Sequence, residues 1–243
     1  MKIYAIGDLH LSFNENIDKP MDKFGPGWEG HPKSVEDAWR EIVGNDDLVL
    51  IPGDISWALK IEEAMDDFEW IHDLPGKKII SKGNHDLWWS RINYLNSLYD
   101  DIVFLQNDCY AVDGCDIVIA ASRGWPYPGS DEYTDHDEKI YARELLRMRM
   151  GLDAAKAARP DDRIIACLHY PPSGADGRET EFTKILEEYS VWKCIYGHLH
   201  GMPAFGRGIK GNVRGVEYAL VSLDYIGSRP KLIYDSEIDG DVE

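Results

Sequence analysis

Five short apolar runs in this 243-residue sequence each lead into a side chain able to bind a cation. KIYAI leads into Gly7-Asp8-Leu9-His10, LVLIP into Gly53-Asp54, and KIISK into Gly83-Asn84-His85-Asp86. IIACL leads into His169, and CIY into Gly197-His198-Leu199-His200. Five of the eight histidines fall in these segments, where random placement would scatter them. The donors are oxygens and imidazole nitrogens with no thiolate among them, a set suited to Mn²⁺, Fe or Zn²⁺ rather than to a soft-metal site. Gly stands immediately before the group in four of the five, permitting a sharp turn and close backbone approach. Any one of these histidines alone reads as an ordinary hydrogen-bonded residue. The ordered set does not.

Parallel-type strands would gather such groups at one sheet edge, where α/β proteins bind ligands. Strands are predicted at 2–6, 48–51, 78–81, 102–105, 110–112, 117–120, 164–168, 191–196, 216–223 and 232–234. Helices are predicted over 34–43, 60–72, 91–98, 139–158 and 179–189. Ser34 with Asp37 has the spacing of a capping box, while Pro75-Gly76 and Pro160 stop two of the helices. Alternating strands and helices, followed by antiparallel-looking strands, predict an α/β chain with sheets covered by helices. No repeat or linker divides it, so one domain is expected over 1–234. The segment 235–243, with five acids and no base, is expected to be a disordered acidic tail. Two polar stretches rich in Gly, Pro and aromatic residues, 12–33 and 124–137, carry no predicted element. Loops of that length usually serve function or motion.

GDLH, GD, GNHD, a lone His after a strand, and GHLH, in that order, closely resemble the calcineurin-like metallophosphoesterase superfamily over about residues 2–200. GDISW and SRGWP are most similar to a bacterial branch known only as predicted phosphohydrolases, which brings no substrate with it. The resemblance implies a four-layer α/β/β/α sandwich of two mixed sheets flanked by helices, with two divalent metal ions above the strand ends. By matching motifs, Asp8, His10 and His200 would hold the first ion and Asn84, His169 and His198 the second. Asp54 would bridge them. Mn²⁺ is expected ahead of Fe or Zn²⁺. His85 would protonate the leaving group, and Asp86 would either orient His85 or cap the segment that follows. The implied reaction is hydrolysis of phosphomonoesters or phosphodiesters, small or nucleotide-derived, by a hydroxide bridging the metals. A nuclease of the same fold and a non-catalytic metal-binding scaffold are the alternatives, and the complete ligand set weighs against the scaffold. The interval from Asp8 to Asp54 is longer than in many members, which weakens any transfer of substrate.

Other residues carry weaker signals. Trp57, Trp88 and Trp89 follow the second and third motifs and read either as a substrate wall or as packing. Trp28 and His31 are placed to cover the site. Arg123 and Trp125, following the 117–120 strand, are candidates for contact with substrate. Arg143 and Arg147, one helical turn apart, are expected to pair with acids on a solvated face. A P-loop and a GxSxG elbow are missing from the sequence, and its GxGxxG runs at 25–30 and 206–211 follow no predicted strand directly, which removes support for kinase, dehydrogenase and serine-hydrolase readings.

With 26 Lys+Arg against 44 Asp+Glu, the formal net charge is −18. A surface this negative repels a phosphate backbone, so generic nucleic-acid binding is not expected, although metal ions reverse the sign locally. The expected partner is a small phosphorylated molecule. An apolar content of 44% fills a core, yet no run reaches the ~18 residues of a membrane helix. MKIYAIGDLH lacks a signal-peptide pattern, and Cys109, Cys115, Cys167 and Cys194 form no CxxC, so reduced, buried thiols in a cytoplasmic protein are expected. The charge sets a first test: fluorescence anisotropy in EDTA at physiological salt should detect no binding to duplex DNA. Tight metal-free binding with a steep salt dependence would revive the nuclease reading.

Overall fold

Strands that are apolar at every position need cover on both faces. In the computed structural model, which describes residues 1–240, the order is β1 (Lys2–Ala5), α1 (His31–Ile42), β2 (Leu48–Pro52), α2 (Ile61–His72), β3 (Lys77–Ser81), α3 (Ile92–Leu95), β4 (Ile102–Phe104), β5 (Cys109–Ala111) and β6 (Ile117–Ser122). Then come α4 (Glu138–Ala158), β7 (Arg163–Leu168), α5 (Glu181–Glu188), β8 (Lys193–Tyr196), α6 (Met202–Phe205), β9 (Gly211–Val213), β10 (Val216–Leu220), α7 (Leu223–Ile226) and β11 (Lys231–Asp235). One sheet runs β11-β1-β2-β3-β4, the other β5-β6-β7-β8-β10-β9. Strands β1 to β4 are mutually parallel, as are β6, β7, β8 and β10. Only β11, β5 and β9 pair antiparallel, all at edges.

The two-residue period of each strand divides its side chains between two cores. Along β2, Leu48 and Leu50 face the other sheet, joining Ile79, Ile119, Ile165 and Ile195. Val49 and Ile51 face outward, under Val35 and Trp39 of α1 and Phe68 and Ile71 of α2. On the second sheet Val118, Ala120 and Ala166 pack outward under Met148 and Leu152 of α4 and Ile185 of α5. The result is the four-layer α/β/β/α sandwich that the motifs implied.

Several local expectations change. Helix α1 opens at His31, because Gly30 takes a left-handed φ of 57° and Pro32 fits the first turn, so Ser34 caps nothing. The predicted 216–223 strand ends at Leu220, and the chain bends into α7 after Ser222 bridges Gly7. Of the late strands, β9 and β11 pair antiparallel as expected, while β10 also lies parallel to β8. The segment expected to be a tail begins inside the last strand. Asp235 closes β11 opposite Lys2, pairs with it at 3.0 Å and is 4% exposed. Backbone N–H groups of Ile238 and Asp239 donate back to Asp235 O, and Arg163 donates to Asp239 O. Residues 241–243 of that expectation lie outside the described residues. The four cysteines are free, two buried and two half-buried. No helix among the described residues is long and apolar enough to cross a membrane.

Ile195, fully buried between the sheets, tests how tightly the sandwich is packed. Ile195→Ala should lower stability by about 2–5 kcal/mol in urea unfolding. A loss below ~1 kcal/mol would mean that the inter-sheet layer is loosely packed.

Candidate metal centre

All five motif segments emerge at the carboxyl ends of parallel strands, β1, β2 and β3 in one sheet and β7 and β8 in the other. Beyond β1 and β2 the ladder continues into the loops, with Asp8 N donating to Gly53 O at 3.0 Å and His10 N to Asp54 O at 2.9 Å. Gly7 N donates to Val221 O at 2.7 Å and so ties this edge to the second sheet. Asp8, His10, Asp54 and His198 hold left-handed φ values of 60°, 46°, 53° and 71°. Such conformations cost non-glycine residues about 1–3 kcal/mol each and cluster at functional sites. Two glycines make room for the carboxylates. A Cβ on Gly83 would fall 2.1 Å from Asp54 Oδ1, and one on Gly197 would fall 2.5 Å from Asp8 Oδ2.

The seven expected ligands come together here as two adjoining groups. Asp8, His10 and His200 present donor atoms within 4.8 Å of one another, and so do Asp54, His169 and His198. Asn84 joins the second group, its Oδ1 2.7 Å from His169 Nε2. Asp54 Oδ2 stands between the groups, 3.8 Å from His10 Nε2 and 3.4 Å from His169 Nε2. His169 Nδ1 faces Pro52 O at 2.9 Å, a contact that needs its proton there and leaves the Nε2 lone pair turned to the site. His200 Nδ1 is likewise held by Asp224 Oδ1 at 3.0 Å, with Nε2 3.7 Å from Asp8 Oδ1. His198 donates its backbone N–H to Asp8 and sets Nε2 3.4 Å from Glu132.

Electrostatics fit this donor set to cations. Burial pushes Asp8 up to about 6 and lowers His10 to about 3 and His169 to about 4, so both imidazoles are neutral, their ligating form, at pH 7. Burial opposes the Asp54 charge too, but the facing His169 and His10 hold its pKa below the ordinary carboxylate value. His10 is buried, its Nε2 stands 3.8 Å from Asp54 Oδ2, and its Nδ1 has no partner among the described residues. A neutral, buried imidazole whose Nε2 faces a carboxylate with no hydrogen bond of its own is a donor suited to a cation.

The neighbours of this centre divide the weaker candidates. Trp57 stacks on His10 at 4.8 Å and lies 4.4 Å from His85, and Trp28 meets His10 and His200 edge-on. His31 binds Leu9 O at 2.9 Å. His85 is exposed at the rim, its ring 5.6 Å from His10, and partial desolvation lowers its pKa. Asp86 does not orient His85. Its carboxylate accepts from the backbone N–H groups of Gly83, Asp54 and Ile55 and from the Trp88 indole, so it fastens two ligand loops together. Trp88 and Trp89 pack on Phe104 rather than forming a wall.

Arg123 lies over Trp125 at 4.3 Å and reaches Glu144, and neither contact involves a metal-group side chain. Trp125 packs on Tyr170, which in turn lies 4.3 Å from His198. Arg143 and Arg147 converge on that same Glu144, which is buried, so the expected solvated pairing is not what forms. Sequence reasoning missed Asp224, which falls one position past the predicted 216–223 strand and which no motif marks. It also missed Tyr170, whose only signal is its place after His169. Beside His198 a cavity of about 360 Å³ opens between Tyr127 and Glu132 of the 124–137 loop, Tyr170 and Arg207.

The family profile for calcineurin-like phosphoesterases matches residues 1–202. The Gene 66 protein of Mycobacterium phage D29 is 28% identical over 109 residues, 39% of this chain and 52% of that protein, so the match spans about half of that relative. The phosphopantetheinyl hydrolase PptH of Mycobacterium tuberculosis superposes with a TM-score of 0.55 at 15% identity, covering 96% of this chain and 95% of that one. AQ665 of Aquifex aeolicus, a protein of unknown function, gives 0.52 at 17% identity, covering 95% of each chain. At such identities the two structures establish a shared fold, while the profile match covers most of the sequence and all five motifs, ending before β9, β10 and β11. The chain belongs to the calcineurin-like phosphoesterase family.

Proposed function

We propose that this chain is a two-metal phosphoesterase in which Asp54 is the bridging ligand. The observation that carries the reading is the position of Asp54 Oδ2 between His10 of one donor group and His169 of the other. Asp8, His10 and His200 would complete one cation, and Asn84, His169 and His198 the second. The oxygen and imidazole donors favour Mn²⁺, with Fe or Zn²⁺ as the other fits. When bound, two cations bridged by a carboxylate supply an activated water and stabilise charge on the phosphoryl oxygens.

The residues of the chain do the rest. Pro52 and Asp224 fix the ring orientation of His169 and His200, and Trp57 holds the His10 ring against its stack. His85, at the open rim beside Trp57, delivers a proton to the departing oxygen. The cavity beside His198 receives the organic part of a small phosphomonoester or phosphodiester, with Arg207 on its wall. Such substrates fit a cytoplasmic enzyme, and the net charge of −18 disfavours long nucleic acids. A binding scaffold without turnover would have no use for a donor set this complete.

Elemental analysis after Mn²⁺ loading should approach two ions per chain. Asp54→Ala should abolish that stoichiometry, and Asp224→Ala should weaken metal affinity about 10–100-fold. Saturation at one ion, unaffected by Asp54→Ala, would sink the dinuclear reading.

His85 is tested through the leaving group. His85→Ala should keep both metals yet lose about 10²–10⁴-fold on alkyl phosphate esters, with a much smaller loss on p-nitrophenyl esters. Equal losses on both would reassign His85 to phosphate binding.

A further inference from the structure

A second pocket, of about 200 Å³, lies at the same carboxyl-end edge among Lys82, Gln106, Arg123, Arg143 and Arg147. These residues follow β3, β4 and β6 or project from α4. A single acid serves three guanidiniums. Glu144 is 1% exposed, and its Oε1 lies 2.8 Å from Arg147, 3.4 Å from Arg143 and 3.5 Å from Arg123. Lys82 has no ion pair or hydrogen bond among the described residues. Arg123 Nε is buried and likewise lacks a partner there, while its guanidinium is fixed over the Trp125 ring.

Four cationic groups thus surround one carboxylate on a chain whose formal charge is −18. Cations confined together repel, and an anion placed among them removes that cost. Arginine forks match phosphate oxygens in paired hydrogen bonds, and a lysine adds a point charge. We propose that this pocket is a second anion site, separate from the metal centre, that takes a phosphate or diphosphate group. The group belongs either to the far end of a substrate or to free phosphate.

Thermal unfolding of the full-length chain, both Mn²⁺-loaded and stripped of metal, tests this with inorganic phosphate as the probe and chloride of equal ionic strength as the control. Wild type in both forms should gain roughly 3–6 °C at ten times the dissociation constant. Lys82→Met breaks no ion pair and should lose most of the gain shared by the two forms. Arg143→Gln, at a half-exposed position, reads the same loss should Lys82→Met fail to fold. No gain in the stripped wild type, or a gain kept by both variants, overturns the proposal. The source is then read from KM in the loaded enzyme, comparing p-nitrophenyl phosphate with an ester bearing a second phosphate. A rise of about tenfold confined to the second ester in Lys82→Met assigns the pocket to the substrate's distal phosphate. A lost thermal response with the KM ratio unchanged assigns it to free phosphate. The thermal measurement on the stripped chain stands whether or not the chain hydrolyses esters.

Discussion

Three carboxylates, those of Asp8, Asp54 and Asp86, are buried within one strand-end junction, and the surrounding structure offsets their charge only in part, since burial raises Asp8 to about 6 and Asp86 to about 7. Burying an ionised acid without compensation is costly, so each is served differently. Asp86 receives backbone N–H groups and an indole, and in return it fixes the loops after β2 and β3 to each other. Asp54 faces histidines of both donor groups, and Asp8 takes the His198 N–H on both oxygens. Both Asp8 and Asp54 sit at left-handed turns of the backbone, a conformation that clusters at functional sites.

The aromatic residues near the site serve a related end. Trp28 and Trp57 press on the rings of His10 and His200, and Met21 Sδ accepts the Trp57 indole N–H, so the 12–33 loop buttresses the ligand rings. The 124–137 loop differs. It stands over His198 through Glu132 and walls the cavity beside it. One loop thus shapes the donors and the other the space next to them.

What the sequence made legible was the part written in local patterns. Apolar runs ending in Asp, Asn or His disclosed the strand edge, because strand and ligand are neighbours in sequence. Doubly buried strands and their helices disclosed the layers. Asp224 and Tyr170 escaped because they reach the site through the docking of distant segments, which no spacing records. Asp86 reads in the sequence as either a partner of His85 or a cap for the segment that follows, whereas its carboxylate accepts from Gly83 and Trp88 nearby and from the Asp54 and Ile55 backbone some thirty positions upstream. Arg143 and Arg147 look like surface residues in a helical projection. Only the packing of α4 on the second sheet buries Glu144 between them and Arg123. Short elements such as β9 and α6 carry too few residues for a period to show.

Each donor group draws on both sheets, Asp8 and His10 with His200, and Asp54 and Asn84 with His169 and His198. Asp8 and the His198 backbone meet across 190 positions of chain. A cation held in either group would therefore be a reversible cross-link between two halves that otherwise adhere through apolar packing and a few hydrogen bonds. Neither half owns a complete coordination shell, so full affinity exists only in the docked sandwich, and metal activity becomes a variable in the docking equilibrium. Such a chain would register the divalent-ion supply of its surroundings in its resistance to unfolding and proteolysis, before any substrate arrives.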